Sequence, residues 1–153
     1  MGAKIMRKRM AVYIALLTGV IVIISSIMVS GQGYRPEVVF RGHDGAAVSV
    51  AVADTDYKQA IGLMDRKVLP ADQGMLFVFR DDRQRNFWMK DTYIPLDQVY
   101  VRSDGTVVDI NRNARPLDTV LYWSKPCKYV VEVNGGYCDR HGINIGDKVQ
   151  IIG

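Results

Sequence analysis

The run RNFWMKDTYIPLD, residues 85–97, gathers side chains that together could hold a ligand. Trp88 offers a broad aromatic face and an indole donor, and Lys90 offers a positive charge for a carboxylate or phosphate. Thr92 and Asp97 add a hydroxyl and a carboxylate, and Arg66, in the upstream stretch GLMDR, adds a second cation. With Met64 and Met89 as neighbours, these groups suit a ligand with one apolar and one polar face. A structural reading stands beside the ligand-binding one. In a strand Trp88 faces opposite to Phe87 and Met89. Phe87 and Met89 then pack inward, Trp88 covers a second apolar surface under a small helix, and Arg66 and Asp97 form an ion pair that helps define the fold.

Machinery for covalent or metal chemistry is sparse. The chain has two histidines, His43 and His141, and neither lies near a recognisable serine or cysteine elbow. His43 falls in an expected turn, where a solvated imidazole is the simpler reading. Cys138 and His141 share one side of a short expected helix, but nucleophilic chemistry would need an exposed thiol. Asp97 and Asp109 form a carboxylate pair only in the weak sense available to any chain with sixteen acidic residues. With two Cys and two His in all, a zinc cluster is not expected, and no segment has the ligand progression of a calcium loop. No metal and no cofactor are expected.

The elements that must position these residues are mostly short strands. Val48, Val50 and Val52 share a parity after a turn at His43-Asp44-Gly45, which predicts a hairpin over residues 38–54. Asp54, Thr55 or Asp56 caps a helix over residues 57–64, and Gly62 within it marks either a close backbone approach or simple tolerance. GMLFVF reads as an apolar strand, the polar RDDRQRN as a hairpin tip, and RNFWMK as the returning strand. LDQVYVRSDGTVVDINR is the clearest hairpin, turning at Asp104-Gly105. CKYVVEV forms a strand with Tyr129, Val131 and Val133 on one face, YCDRHG a short helix, and KVQII a last strand. In NARPLDTVLYWSKP, a cluster around Leu121 and Trp123 could be a lid, a docking surface or a cover over a barrel end. The pattern is mainly β (α+β): a compact antiparallel barrel or sandwich with two short helices, preceded by one hydrophobic N-terminal helix.

Four blocks in this order carry a resemblance: GLMDR at 62–66, LPADQGMLFVF at 69–79, NFWMKDTYIPLD at 86–97 and GINIGDKV at 142–149. Together they resemble the prokaryotic family known as domain of unknown function 192. The likeness spans about Val48 to Ile152. It implies a compact, mostly β domain with small flanking helices, carried behind a signal or anchor in exported members. It implies no activity, because none is attached to the family. The family pattern has Asn where this chain has Asp91, which weakens any anion site built around Lys90.

The N-terminus bears on location. MGAKIMRKRM carries Lys4, Arg7, Lys8 and Arg9 and no acid, and the nineteen residues from Ala11 to Val29 carry no charge. At about 1.5 Å per residue such a helix would match a bilayer core of about 30 Å. Basic residues ahead of a first apolar segment favour an N-terminus inside and the rest of the chain outside. The length of the run favours a retained anchor, while Val29-Ser30-Gly31 leaves open cleavage near Gly31 and secretion. The expected organisation is a basic segment over 1–10, an anchor or signal region over 11–30, a linker over 31–37 and an extracytoplasmic domain over 38–153.

The formal charge of +4 comes wholly from the first ten residues, leaving sixteen basic and sixteen acidic side chains beyond them. That balance argues against nucleic acid as a partner. An exported chain with two cysteines permits a disulfide between Cys127 and Cys138. A straight strand up to a turn at Asn134 would separate the two Cα atoms by more than the roughly 7 Å that a bridge tolerates. A bridge and two separate thiols therefore both stand. The leading expectation is a membrane-tethered binding or accessory domain acting on a small polar ligand or an envelope protein. A carboxylate-based hydrolase or transferase and a protein-docking scaffold are the alternatives.

Overall fold

Alternation of valine with small or polar residues builds the first hairpin. The computed structural model describes residues 35–43 and 46–153, and Arg35–Gly153 forms one compact unit. Strand β1 (Glu37–Arg41) pairs antiparallel with β2 (Ala47–Ala53), burying Val38, Phe40, Val48 and Val50. Asp44 and Gly45 of the expected turn lie outside the described residues. His43 is not simply solvated: its Nε2 lies 2.7 Å from Asp147 Oδ2.

Helix α1 (Asp56–Ile61) starts where Thr55 accepts a hydrogen bond from the Lys58 amide at 3.3 Å. It stops at Gly62, whose φ of 51° and ψ of −126° no other residue adopts without strain. A Cβ there would come within 3.1 Å of the Phe77 ring, so a close approach is the reason for this glycine. The helix carries the chain back across the sheet, and β3 (Gln73–Arg83) therefore runs parallel to β2. This one pair makes the sheet mixed; its other pairings are antiparallel, as the pattern of short strands predicts.

The remaining strands are β4 (Asn86–Phe87), β5 (Leu96–Val101), β6 (Val107–Ala114), β7 (Tyr122–Trp123), β8 (Cys127–Asn134) and β9 (Lys148–Ile152), with helix α2 (Tyr137–His141) between the last two. Seven strands form one sheet in the order β6-β5-β8-β3-β2-β1-β9, and β4 and β7 form a separate pair. The expected hairpin of β5 and β6 is present, with Gly105 at φ 80° in its turn. The expected strand RNFWMK shrinks to Asn86–Phe87. Both edges of β3 are already taken, by β2 and β8, so a returning strand has nowhere to pair.

The sheet curls into a half-barrel. Valines from β1, β2, β3, β5, β6, β8 and β9 meet in one interior cluster with Tyr137, Cys138 and Ile143. The two edge strands touch at one corner, where the Val149 amide donates to Gly105 O at 2.8 Å and the Val107 amide to Asp147 O at 2.9 Å. Each fully buried Val or Phe is worth about 1.5–3 kcal/mol, so this cluster is the main stabilising element. The outer face of the central strands is covered as well. Ala53, Phe77, Tyr100 and Val130 pack there beneath Phe87 and Tyr122, and Leu63, Met89, Ile94 and Leu96 form a third cluster. All six residues of β5 are buried as a result.

Cys127 and Cys138 are both buried free thiols, the second of the two alternatives left open by the sequence. The first belongs to the outer cluster around Tyr100 and the second to the interior one, so the sheet itself separates them. The apolar helix expected over residues 11–29 lies outside the described residues. Among the described residues no helix is long and apolar enough to cross a membrane.

Candidate functional site

The register of β5 against β6 creates the site. Leu96 pairs with Ala114 and Gln98 with Asn111, so Arg112 and Asn113 form a bulge opposite the single residue Asp97. Asn113 takes a left-handed φ of 50°. Asp97 holds the bulge from behind. It is fully buried, and it accepts hydrogen bonds from the amides of Asn113 at 2.7 Å, Gly136 at 3.1 Å and Cys138 at 2.8 Å. Asp97 is therefore sealed on the interior face and offers no group to a ligand. Its expected ion pair with Arg66 is absent; Arg66 is exposed.

In front of the bulge two loops are stitched together. The Met89 amide donates to Asp118 O at 2.8 Å and the Leu117 amide to Thr92 O at 3.0 Å, beside the β4–β7 pair. Between these loops and β6 lies an open pocket of about 300 Å³. Phe87, Trp88, Val120, Leu121 and Tyr122 supply its apolar walls, and Gln98, Asn111, Arg115 and Asp118 its polar groups. Trp88 is 44% exposed, and Val120, Leu121 and Trp123 are also exposed in the loop that forms the far wall. Among the described residues the Arg115 side chain has no ion-pair partner. The Arg112 guanidinium is turned to α2, donating to Asp139 Oδ1 and Ile143 O, each at 2.6 Å.

A second, narrow cleft of about 30 Å³ lies on the other side of Phe87 and Trp88. Lys90, Thr92, Gly62 and Met64 line it, with Glu132 among them. The Lys90 ammonium sits 5.3 Å from the Trp88 ring centroid, within cation–π range. Thr92 is buried and donates to Lys90 O at 3.3 Å. Trp88, Lys90 and Thr92 are thus brought together, whereas Arg66 and Asp97 are not. Asp91 adopts φ 53°, a conformation that Asn takes readily and Asp tolerates. Backbone geometry accounts for the residue type at that position without any anion site.

Glu132 is the residue that sequence reasoning missed. Only 4% exposed, it accepts a hydrogen bond from Gln98 Nε2 at 3.1 Å, and Gln98 Oε1 in turn accepts from Tyr100 at 3.2 Å and Asn111 at 2.9 Å. This amide chain links the floor of the cleft to the floor of the larger pocket. Burial pushes the Glu132 carboxyl up to about 7, against the pull of the Gln98 hydrogen bond in the other direction. Burial likewise raises the Tyr122 phenol, with help from its hydrogen bond to Asp109, to about 12. The sequence signal was an acidic residue inside an apolar strand, on the parity opposite Val131 and Val133.

Fold and site together define a small half-barrel domain with an open pocket of mixed polarity. The chain belongs to the DUF192 family, described as uncharacterized ACR, whose model matches residues 38–151. No curated protein matches it. Solved structures similar to it include the following two. One is a protein proposed to be a transcription regulator from Sinorhizobium meliloti 1021, with 35% identity, a TM-score of 0.71, and coverage of 76% of this chain and 92% of that one. The other is a protein of unknown function from Novosphingobium aromaticivorans DSM 12444, with 37% identity, a TM-score of 0.70, and coverage of 75% and 83%.

Proposed function

We propose that this is a binding domain for a small ligand with a flat apolar body and polar acceptor groups, displayed outside the cytoplasm behind the apolar segment 11–29. The observation that carries the reading is the pocket of about 300 Å³, with Trp88 and Leu121 for walls and Gln98, Asn111 and Arg115 converging on it. Pre-formed concavities of this size and mixed lining are where small molecules bind. The basic N-terminus and the uncharged run after it support the location.

A docking scaffold without a pocket fits less well, because the exposed Val120 and Leu121 line a concavity. A nucleic-acid regulator fits less well too. Charge is balanced beyond residue 10, and Asp81 pairs with both Arg83 and Arg85 at 2.9 Å in the most arginine-rich segment. A hydrolase would need two free carboxylates in one cleft, but Asp118 Oδ1 is engaged by the Val120 amide at 2.9 Å.

The test is a protein-observed NMR screen of ring compounds bearing carboxylate, amide or hydroxyl groups against the full chain in detergent. Binders should perturb the Trp88 indole and the Asn111 side-chain amide and should be lost in Trp88→Ala. Binders that ignore that substitution, or none from a broad library, would overturn the reading.

A further inference from the structure

The narrow cleft beneath Trp88 is built differently from the pocket beside it. We infer that it is a subsite for a carboxylate, held by the carboxyl group of Glu132 and by Lys90, both of which line it. This deepens the binding reading, since Phe87 and Trp88 line both concavities and a ligand lying against them reaches both.

Size and chemistry argue for this occupant. About 30 Å³ is enough for a water-sized or carboxylate-sized group and too little for a ring. Glu132 is 96% buried, with Gln98 as its one hydrogen-bonding side chain; of the other polar residues in the lining, Gln59 donates to Val78 O and Thr92 to Lys90 O. The turn after α1 presents Gly62, Leu63 and Met64, and β3 presents Phe77, none of them titratable. From β5 come Gln98 and, through it, Tyr100, whose phenol burial holds neutral. The loop after β4 gives Lys90, the one other charged residue in the lining among the described residues, with its ammonium 5.3 Å from the Trp88 ring centroid.

A buried carboxyl in such a place holds its proton near neutrality, and Glu132 is pushed up to about 7. A protonated carboxyl donates, and a cation beside it selects an anionic acceptor over a second donor. Once Glu132 ionises, two carboxylates would face each other and the guest would be expelled. Gly62 is what leaves the space, because a side chain there would project onto Phe77.

Formate is the probe, small enough for the cleft alone. The full chain is titrated with sodium formate at about pH 5.5 and about pH 8.5 at constant ionic strength. Binding is followed through the amide signals of Gly62, Thr92 and the Gln98 side chain. A saturable shift at the lower pH, weakened roughly tenfold or more at the higher, is expected. Glu132→Gln, which mimics the neutral acid, should bind formate equally at both values. Equal affinity of the native chain at both values, no saturable shift at the lower one, or an unchanged pH profile in Glu132→Gln would overturn the subsite. Because formate does not need the large pocket, such a failure leaves the ring-compound screen to decide the broader reading by itself.

Discussion

Gln98 and Glu132 stand directly opposite each other on β5 and β8, and the amide of the first donates to the carboxyl of the second across 3.1 Å. This cross-strand pair lies on the outer face of the sheet, beneath the loops that carry Trp88 and Lys90. One residue earlier on β5, Asp97 faces the interior and fixes the bulge that shapes the pocket. Two polar neighbours on a fully buried strand thus serve the site from opposite sides.

The Glu132 carboxyl makes stability depend on pH. Unfolded it titrates near 4.5, and folded it titrates at about 7. Below the lower value both states hold the proton. Between the two only the folded state does, so its advantage is lost as pH rises through about 7. By this linkage the loss is on the order of 3 kcal/mol. Scanning calorimetry should show the native chain melting at a lower temperature at pH 8 than at pH 5. Glu132→Gln should melt above the native chain at pH 8 and close to it at pH 5. Parallel curves for the two proteins would refute the assignment.

Asp97 should be indispensable to folding for a reason unrelated to ligands. Asp97→Ala would leave three amides without their acceptor, the buried one of Cys138 and the partly buried ones of Asn113 and Gly136. At about 1–3 kcal/mol for each orphaned donor, a loss of at least 3 kcal/mol is expected. Urea denaturation measures it. A loss near 1 kcal/mol would mean that water or a shifted backbone takes over.

What was legible in the chain depended on whether a local pattern decided it. Hairpin β5–β6 was readable because Asp104-Gly105 and the valines on either side leave one pairing. The parallel passage from β2 to β3 was not, because nothing local to ADTDYKQAIG says on which side of β2 the next strand will lie. The site was half legible. Trp88, Lys90 and Thr92 were found by residue type and do share a cleft. Asp97 was picked for the site and lies sealed in the interior, and Glu132 was not picked, because strand parity names two faces without saying that both will be covered. On a one-sided sheet Glu132 would face water, and here the turn after α1 and the segment carrying Trp88, Lys90 and Thr92 close over it.

Gly62 should resist substitution. At φ 51° and ψ −126° any side chain is strained, and a Cβ would press on Phe77 at 3.1 Å. Gly62→Ala is expected to cost about 1–3 kcal/mol in denaturant titrations. A neutral outcome would show that the turn after α1 relaxes without cost.

Trp88→Ala should separate binding from folding. The ring is 44% exposed and takes part in none of the three core clusters, so its removal should change stability by less than about 1 kcal/mol. The ring compounds found by screening should lose most of their affinity in this variant. If the variant unfolds instead, the aromatic ring is a structural cover and the pocket loses its main wall as evidence.

The cysteines give a last test that bears on the fold itself. Cys138 is fully buried beside Asp97, and burial pushes its thiol up to about 12; burial also raises the Cys127 thiol. Thiolate is the reactive form, so both should resist alkylation at pH 8 in the folded chain and react quickly in guanidinium. Mass spectrometry after iodoacetamide, with no reductant added, should find no label on native protein and two labels per chain on unfolded protein. A species that takes no label even when unfolded would mean that the two sulfurs are bridged. The sheet between the interior and outer clusters would then have to open at β8, and the order of strands around it would need revision.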